Sequence, residues 1–226
     1  MSYGDMEVHF RIVPGRRGVI KKTALIVVVL LIASAVSAQE IEGVRKGAIE
    51  LGLAGGLSFP IGDYADIADL SGTVDLVLGY YTSPHFALGI DIGVHWFRPT
   101  DSAYLWVVEA IDVTDPEVKL RVYRILTPYA KFLFKETNFS PYVTGLAGLY
   151  LQELKVTGAG ISDPNNPSIS NTFNEMYMGF ALGAGLQWMT DQSALVFLDG
   201  RYHTAMRAER KPITFFDVRV GLAFAL

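Results

Sequence analysis

The last fourteen residues of the chain, "ITFFDVRVGLAFAL" (213–226), decide the fold. In this stretch large apolar side chains alternate with charged or small ones. The apolar set is Phe216, Val218, Val220, Leu222, Phe224 and Leu226, and the other set is Asp217, Arg219, Gly221, Ala223 and Ala225. Strict alternation is typical of a β-strand with two unlike faces. The composition and the other segments of the chain indicate which face is on the outside, and whether it meets water or lipid.

The chain is apolar overall, with 50% hydrophobic residues and a mean hydropathy of +0.29, yet it contains one long apolar run, "TALIVVVLLIASAVSA" (23–38). Lys21 and Lys22 precede this run, and small residues end it at Ala38. It predicts a signal peptide for the Sec route, cleaved after Ala38. A membrane anchor is the alternative, but Ser34 and Ser37 interrupt the run, and a helical span needs about 20 apolar residues. We therefore expect a leader and signal peptide over 1–38, a short N-terminal segment over 39–45, and one β-barrel domain over 46–226.

The charge balance and the lack of cysteine exclude several classes of function. Removal of residues 1–38 takes five of the 19 basic and two of the 23 acidic residues, which leaves a formal net charge of −7. An acidic mature chain argues against a nucleic-acid partner. With no cysteine in the sequence, disulfides, thiolate metal sites and cysteine nucleophiles are excluded.

Eight segments of the mature chain alternate in this way, and the connections between them differ in length. The predicted strands are about 48–59, 73–81, 86–97, 120–134, 142–154, 176–188, 194–203 and 213–226. Short connections follow the second, fourth and sixth strands, and long ones follow the first, third, fifth and seventh. Transmembrane barrels have short periplasmic turns, longer external loops and an even number of strands. Pro128 cannot donate a ladder hydrogen bond, so we expect a bulge there.

The face opposite the aliphatic side chains carries mainly glycine, alanine and isolated charges. A soluble eight-stranded barrel points its large apolar side chains inward, whereas small residues and a few ions suit the interior of a narrow membrane barrel. If the last hairpin were inverted, Arg201 and Arg219 would each cost about 2–4 kcal/mol in hydrocarbon. The sequence therefore predicts an all-β, eight-stranded, antiparallel, up-and-down transmembrane β-barrel whose aliphatic face meets lipid.

Eight charged residues are expected in the lumen, and in an eight-stranded barrel they favour a salt-bridged plug over an ion pathway, which is the alternative. They are Glu50, Asp75, Asp91, Lys131, Asp199, Arg201, Asp217 and Arg219. A register that places Arg201 opposite Asp217 also places Asp199 opposite Arg219, whereas a slip of two residues sets Asp199 against Asp217. We predict the first register.

Aromatic residues near the predicted strand ends are expected to form the two interfacial girdles of such a barrel. They are Phe59, Tyr80, Tyr81, Phe86, Trp96, Phe134, Tyr142, Tyr150, Trp188, Tyr202 and Phe216.

Several motifs make the chain resemble the small outer-membrane β-barrel family of Gram-negative bacteria, the group of the OmpA transmembrane domain, OmpX and OmpW. They are "GLAGGLSFP" (52–60) followed by Gly62 and Asp63, Ser83-Pro84 followed by "FALG" (86–89), "GAGL" (183–186), "RYH" (201–203) and the C-terminal strand. The resemblance implies localisation in the cell outer membrane, outer-membrane lipid as surroundings, and the barrel-assembly machinery as a partner during insertion. The family's last strand usually ends in Phe, whereas here Phe224 lies two positions before the end.

The function expected from these observations is a monomeric, non-enzymatic scaffold that displays external loops for surface interaction, with a ligand that the sequence does not identify. The alternative is an OmpW-like conduit for small apolar molecules, motivated by the apolar residues 105–108 in the second long loop. A more remote alternative is a lipid A-modifying enzyme, because His95 and His203 lie near external strand ends, but His203 lacks the following serine of such deacylases. The acidic residues of the loops, Asp63, Asp66 and Asp69 with Asp112, Asp115 and Glu117, lack the order of a calcium loop. We therefore assign no catalytic, cofactor-binding or metal-binding residue.

Overall fold

Eight antiparallel strands close into a single barrel, in which each strand pairs with its sequence neighbours and β1 pairs with β8. The computed structural model describes residues 44–105, 113–160, 169–190, 193–206 and 211–226. The strands are β1 (Ile49–Pro60), β2 (Ala68–Ser83), β3 (Phe86–Pro99), β4 (Val113–Leu133), β5 (Phe139–Gly160), β6 (Ile169–Met189), β7 (Ala194–Met206) and β8 (Ile213–Ala225). The predicted fold class, strand number and order of strands are confirmed.

Several strands are longer than the sequence predicts. The predicted loop over 60–72 holds only a short 3-10 helix (Gly62–Asp66) before β2 begins, and the strands β4 to β6 run to 21 or 22 residues each. About 9 to 11 residues suffice to cross a bilayer, so β4, β5 and β6 continue well past the apolar band. They do so because they pair with each other, which satisfies their backbone groups beyond the level where β3 and β7 end.

The bulge that we expected at Pro128 lies three residues earlier. The register of β4 shifts against β5 between Arg124 and Leu126, and it shifts against β3 between Arg124 and Thr127. Ile125 is the extra residue, and it and Leu126 both face outward. Pro128 pairs in a regular register with Ile90.

The barrel is apolar outside and polar inside. In β8 the exposed fractions are 41% for Val218, 51% for Leu222 and 54% for Phe224, whereas Asp217 and Arg219 are fully buried. The same inversion holds for β1, where Leu53 is 61% exposed. The prediction that the aliphatic face points away from the barrel axis is confirmed.

The seam between β1 and β8 closes the barrel. Gly56 lies so near the backbone of Val218 that a side chain there would collide with it. At the end of the seam the backbone of Ile49 and that of Leu226 exchange two hydrogen bonds of 2.9 Å. The first and last strands therefore pair in one uninterrupted register, from Glu50 opposite Ala225 to Pro60 opposite Phe215.

The expected girdles form only in part. Six of the expected aromatic residues are exposed on the outer wall: Phe59, Tyr80, Trp96, Phe134, Tyr202 and Phe216. Tyr81, Tyr142 and Tyr150 are wrongly placed by the sequence analysis, because they point into the barrel and are at most 3% exposed. Their hydroxyl groups find polar partners in the lumen, which explains why the interior accepts them.

The expected leader and signal peptide, 1–38, lie outside the described residues. In the described part of the chain, no helix has the length and apolar character needed to cross a membrane.

Candidate functional site

The barrel interior contains a buried network of charges centred on Arg219, which β8 directs into the lumen. Its guanidinium donates to both carboxylate oxygens of Asp199 at 2.9 Å, to Asp75 at 3.0 Å and to Asp91 at 3.3 Å. These partners come from β7, β2 and β3, so the contacts reach across the lumen. One guanidinium group thus bridges aspartates from three strands.

Two further guanidinium groups complete this network. Arg201 donates to Asp91 at 2.6 Å and to Asp199 at 3.1 Å. Arg124 forms an ion pair with Asp75, and its other amino group lies 3.0 Å from Asp91. All five of these side chains are buried. Buried ion pairs of this kind keep their geometry because each charge would be strongly disfavoured without its partner.

Arg124 is the member that the sequence analysis missed. The alternation in β4 is irregular, and the segment after the bulge points odd-numbered residues inward while the segment before it points even-numbered ones inward. The pattern of the later segment predicts that Lys131 faces inward. When the alternation is read separately before and after the bulge, the earlier segment predicts that Arg124 faces inward as well.

The predicted register between β7 and β8 is confirmed, since Asp199 lies opposite Arg219 and Arg201 opposite Asp217. Of these two cross-strand pairs, Asp199 and Arg219 form an ion pair. Arg201 and Asp217 do not, because Arg201 turns toward Asp91 and Asp199. Asp217 instead lies 3.1 Å from Nε2 of His203.

A separate ion pair fills the lumen nearer the short turns. Lys131 donates to Glu50 at 2.5 Å and to the side-chain oxygen of Gln187 at 3.4 Å. Its ammonium also lies 5.1 Å from the ring centre of Tyr81 and 5.5 Å from that of Tyr142, which is the geometry of cation–π contacts. A cavity of about 10 Å³ beside this pair has room for roughly one water molecule.

Aromatic and imidazole rings fill the lumen toward the longer connections. His203 stacks on Phe215 with ring centres 4.5 Å apart, and its Nδ1 lies 3.0 Å from the hydroxyl of Tyr150. His95 is fully buried, and its Nδ1 lies 2.8 Å from the hydroxyl of Ser58. Both imidazoles therefore face the interior and not the membrane.

Tyr64, from the 3-10 helix, packs over this end of the lumen. Its ring centre lies 5.2 Å from that of Phe97, which in turn lies 5.5 Å from Phe215. All three rings are at most 4% exposed. The first connection of the chain thus contributes a buried aromatic side chain at this end of the lumen.

Of the acidic and apolar loop residues named above, those with described side chains are exposed on the surface. Asp63 forms an exposed ion pair with Lys211 at 3.4 Å. Within the described ranges, no three acidic or imidazole side chains are close enough together to hold a metal ion. Leu105 is 65% exposed, and the rest of the apolar stretch proposed for a conduit, 106–108, lies outside the described residues together with Asp112.

No protein-family model matches the chain, and no curated protein matches it either. Solved structures do. Neisserial surface protein A superposes with a TM-score of 0.53 at 11% sequence identity, over 80% of this chain and 100% of that one. A major outer membrane protein from Thermus thermophilus gives a TM-score of 0.51 at 11% identity, over 80% and 99%. At such identities the likeness establishes the fold, and that fold is the small eight-stranded barrel of outer-membrane proteins.

Proposed function

We propose that the protein is a monomeric barrel of the bacterial outer membrane, that its lumen is closed to solutes, and that its external surface carries its interactions. The observation that supports this most directly is the buried network of Arg124, Arg201 and Arg219 with their aspartates. It bridges strands on opposite sides of the barrel, at the level of the apolar outer band. A fold shared with outer-membrane proteins supports the same location.

The outer wall supports insertion into lipid. Exposed aliphatic side chains cover the middle of successive strands, and the charged residues that face outward in the described strands lie toward the external ends. Every strand also has two hydrogen-bonded neighbours, which removes the unpaired edges that hydrocarbon does not tolerate. In water, such an apolar surface would drive aggregation.

A closed lumen favours the scaffold over the conduit. Passage along the axis would require the arginines to release their aspartates, which would leave both charges buried without a partner. The Tyr64, Phe97 and Phe215 rings would also have to move. The lipid A-modifying alternative has less support, since His95 and His203 are fully buried among the side chains that fill the lumen.

Conductance and solute uptake test this proposal. The refolded protein is reconstituted into planar bilayers and into liposomes, with a general porin as the positive control. We expect no stepwise conductance, no swelling in small sugars and no uptake of an apolar dye. Flux of sugars or ions would contradict the closed lumen, and uptake of the apolar dye alone would support the conduit. Failure to insert into liposomes at all would contradict the membrane location.

A further inference from the structure

Three basic side chains form a row across the outer wall of neighbouring strands. Lys119 of β4 lies directly opposite Lys155 of β5. The pairing of Phe97 with Leu120 places Arg98 of β3 next in line beside Lys119. All three side chains point outward, since Phe97, Leu120 and Val156, which alternate with them, are buried; Arg98 and Lys119 are exposed and Lys155 is half-buried.

The positive charge of this row is only partly compensated by the described residues around it. Adjacent strands are about 4.8 Å apart, and like charges directly opposite each other are destabilising. Lys119 has one exposed ion-pair partner, Glu117, at 3.0 Å. In the described part of the chain, neither Arg98 nor Lys155 forms an ion pair. The hydrogen bond from Lys119, and to a lesser degree the charge of Lys155, hold the pKa of Glu117 below its usual value. On the other side of the row, Asp69 of β2 lies directly opposite Arg98. Two carboxylates thus face three cations among the described residues, and the row keeps a net positive charge.

Along the barrel axis, the row lies at the level expected for the membrane surface. Two residues closer to the short-turn end, Trp96 is 43% exposed, and Arg121 beside it is neutralised by Glu153 at 3.2 Å. Beyond these residues the outer wall becomes the aliphatic band. The row therefore begins where the lipid chains end, on the side of the long connections.

We propose that Arg98, Lys119 and Lys155 bind the phosphate group of an anionic lipid in the external leaflet. A phosphomonoester carries about two negative charges and several acceptor oxygens, which match one guanidinium and two ammonium groups. Each basic residue near an anionic membrane surface contributes about 1 kcal/mol of attraction. A lipid is favoured over a free phosphate because the row is not recessed, and a lipid is held at this height by its own chains.

This inference rests on the proposed membrane location, and the experiment separates the two. Trp96 reports on the lipids beside the row, and the chain has three tryptophans. The variant W106F/W188F leaves Trp96 as the only one. It is reconstituted into phosphatidylcholine vesicles that contain a minor share of either brominated phosphatidic acid or brominated phosphatidylcholine, whose bromines quench tryptophan on contact.

We expect phosphatidic acid to be enriched next to Trp96 by about three- to tenfold over phosphatidylcholine. This is less than the enrichment that three unscreened attractions would give, because salt screens exposed charges. The variant R98Q/K119Q/K155Q should reduce this enrichment to about one. The control K46Q/K135Q/K211Q removes three exposed cations elsewhere and should keep it. A second reporter, W96F/W106F, leaves Trp188 at the opposite end and should show no enrichment.

Quenching by brominated phosphatidylcholine without preference for phosphatidic acid would overturn the inference and leave the membrane location intact. An enrichment that survives R98Q/K119Q/K155Q would overturn it as well. If neither brominated lipid quenches Trp96, the protein is not inserted, and both proposals are wrong. Vesicles containing lipid A in place of phosphatidic acid then extend the test to a phosphorylated glycolipid.

Discussion

Arg219 is the residue on which the buried charges converge. It contacts Asp75, Asp91 and Asp199 and is fully buried. A buried ion pair adds little stability compared with a well-packed apolar group, but loss of one partner leaves charges with neither water nor a counterion. The network is therefore sensitive to removal of a single member.

We predict that Arg219→Gln lowers the free energy of unfolding by about 3–5 kcal/mol, because it leaves aspartates buried without a cation. The matched control is Arg121→Gln, which breaks a half-exposed pair with Glu153 on the outer wall and should cost about 1 kcal/mol or less. Urea unfolding in lipid vesicles, followed by tryptophan fluorescence, measures both. Equal losses for the two variants would show that the lumen network does not depend on Arg219.

At the scale of the element, β4 differs from the other strands because it changes phase within its length. Ile125 and Leu126 both face outward, so Arg124 before them and Lys131 after them both face inward. In a regular strand two residues seven positions apart lie on opposite faces. The bulge thus allows one strand to contribute cations to both ion clusters.

We predict that deletion of Ile125 is tolerated, because removal of the extra residue leaves a regular strand in which Arg124 and Lys131 still face inward. Deletion of Ala130, in the regular part of the same strand, should prevent folding. If the bulge is kept, the deletion turns either Lys131 or Arg124 toward lipid, at about 2–4 kcal/mol. If the bulge is lost, the deletion instead turns Thr127 and Tyr129 out of the lumen. The heat-dependent shift of barrel mobility on gels reports folding. The opposite ranking of the two deletions would contradict this account of the bulge.

At the scale of the whole molecule, closure makes all eight strands equivalent in their pairing. Ile49 and Leu226 bond to each other at the end that carries the short turns. Each of the eight strands has a hydrogen-bonded neighbour on both sides, because β1 and β8 pair with each other. The order in which the strands follow along the chain is therefore not required by the final structure.

We predict that a circular permutant still folds when a short flexible linker joins Leu226 to Ile49 and the chain is opened at Glu136, in the turn between β4 and β5. Its barrel should show the heat-dependent gel shift and a urea midpoint close to that of the parent. A permutant opened at Val143, within β5, is the control and should lose the shift, because it interrupts a ladder in the lipid band. Failure of both would indicate that folding needs the natural strand order.

The sequence by itself determined the number of strands, the lipid-facing side of the regularly alternating strands and the register of the last hairpin. These features follow from alternation within one strand and from charges on two strands that are consecutive in the chain, so local pattern is sufficient. The aliphatic and aromatic residues 216, 218, 220, 222 and 224 and the opposed charges Asp199 and Arg219 carried that information.

Only the tertiary structure decided what each inward side chain contacts. Arg219 meets Asp75, which lies 144 positions earlier in the chain, and Asp217 pairs with His203 and not with the opposite Arg201. Tyr81, Tyr142 and Tyr150 turn inward for the same kind of partner. The physical reason is that the lumen is narrow enough for side chains of distant strands to touch across it. Their choice of partner depends on closure of the barrel, which strand periodicity does not encode.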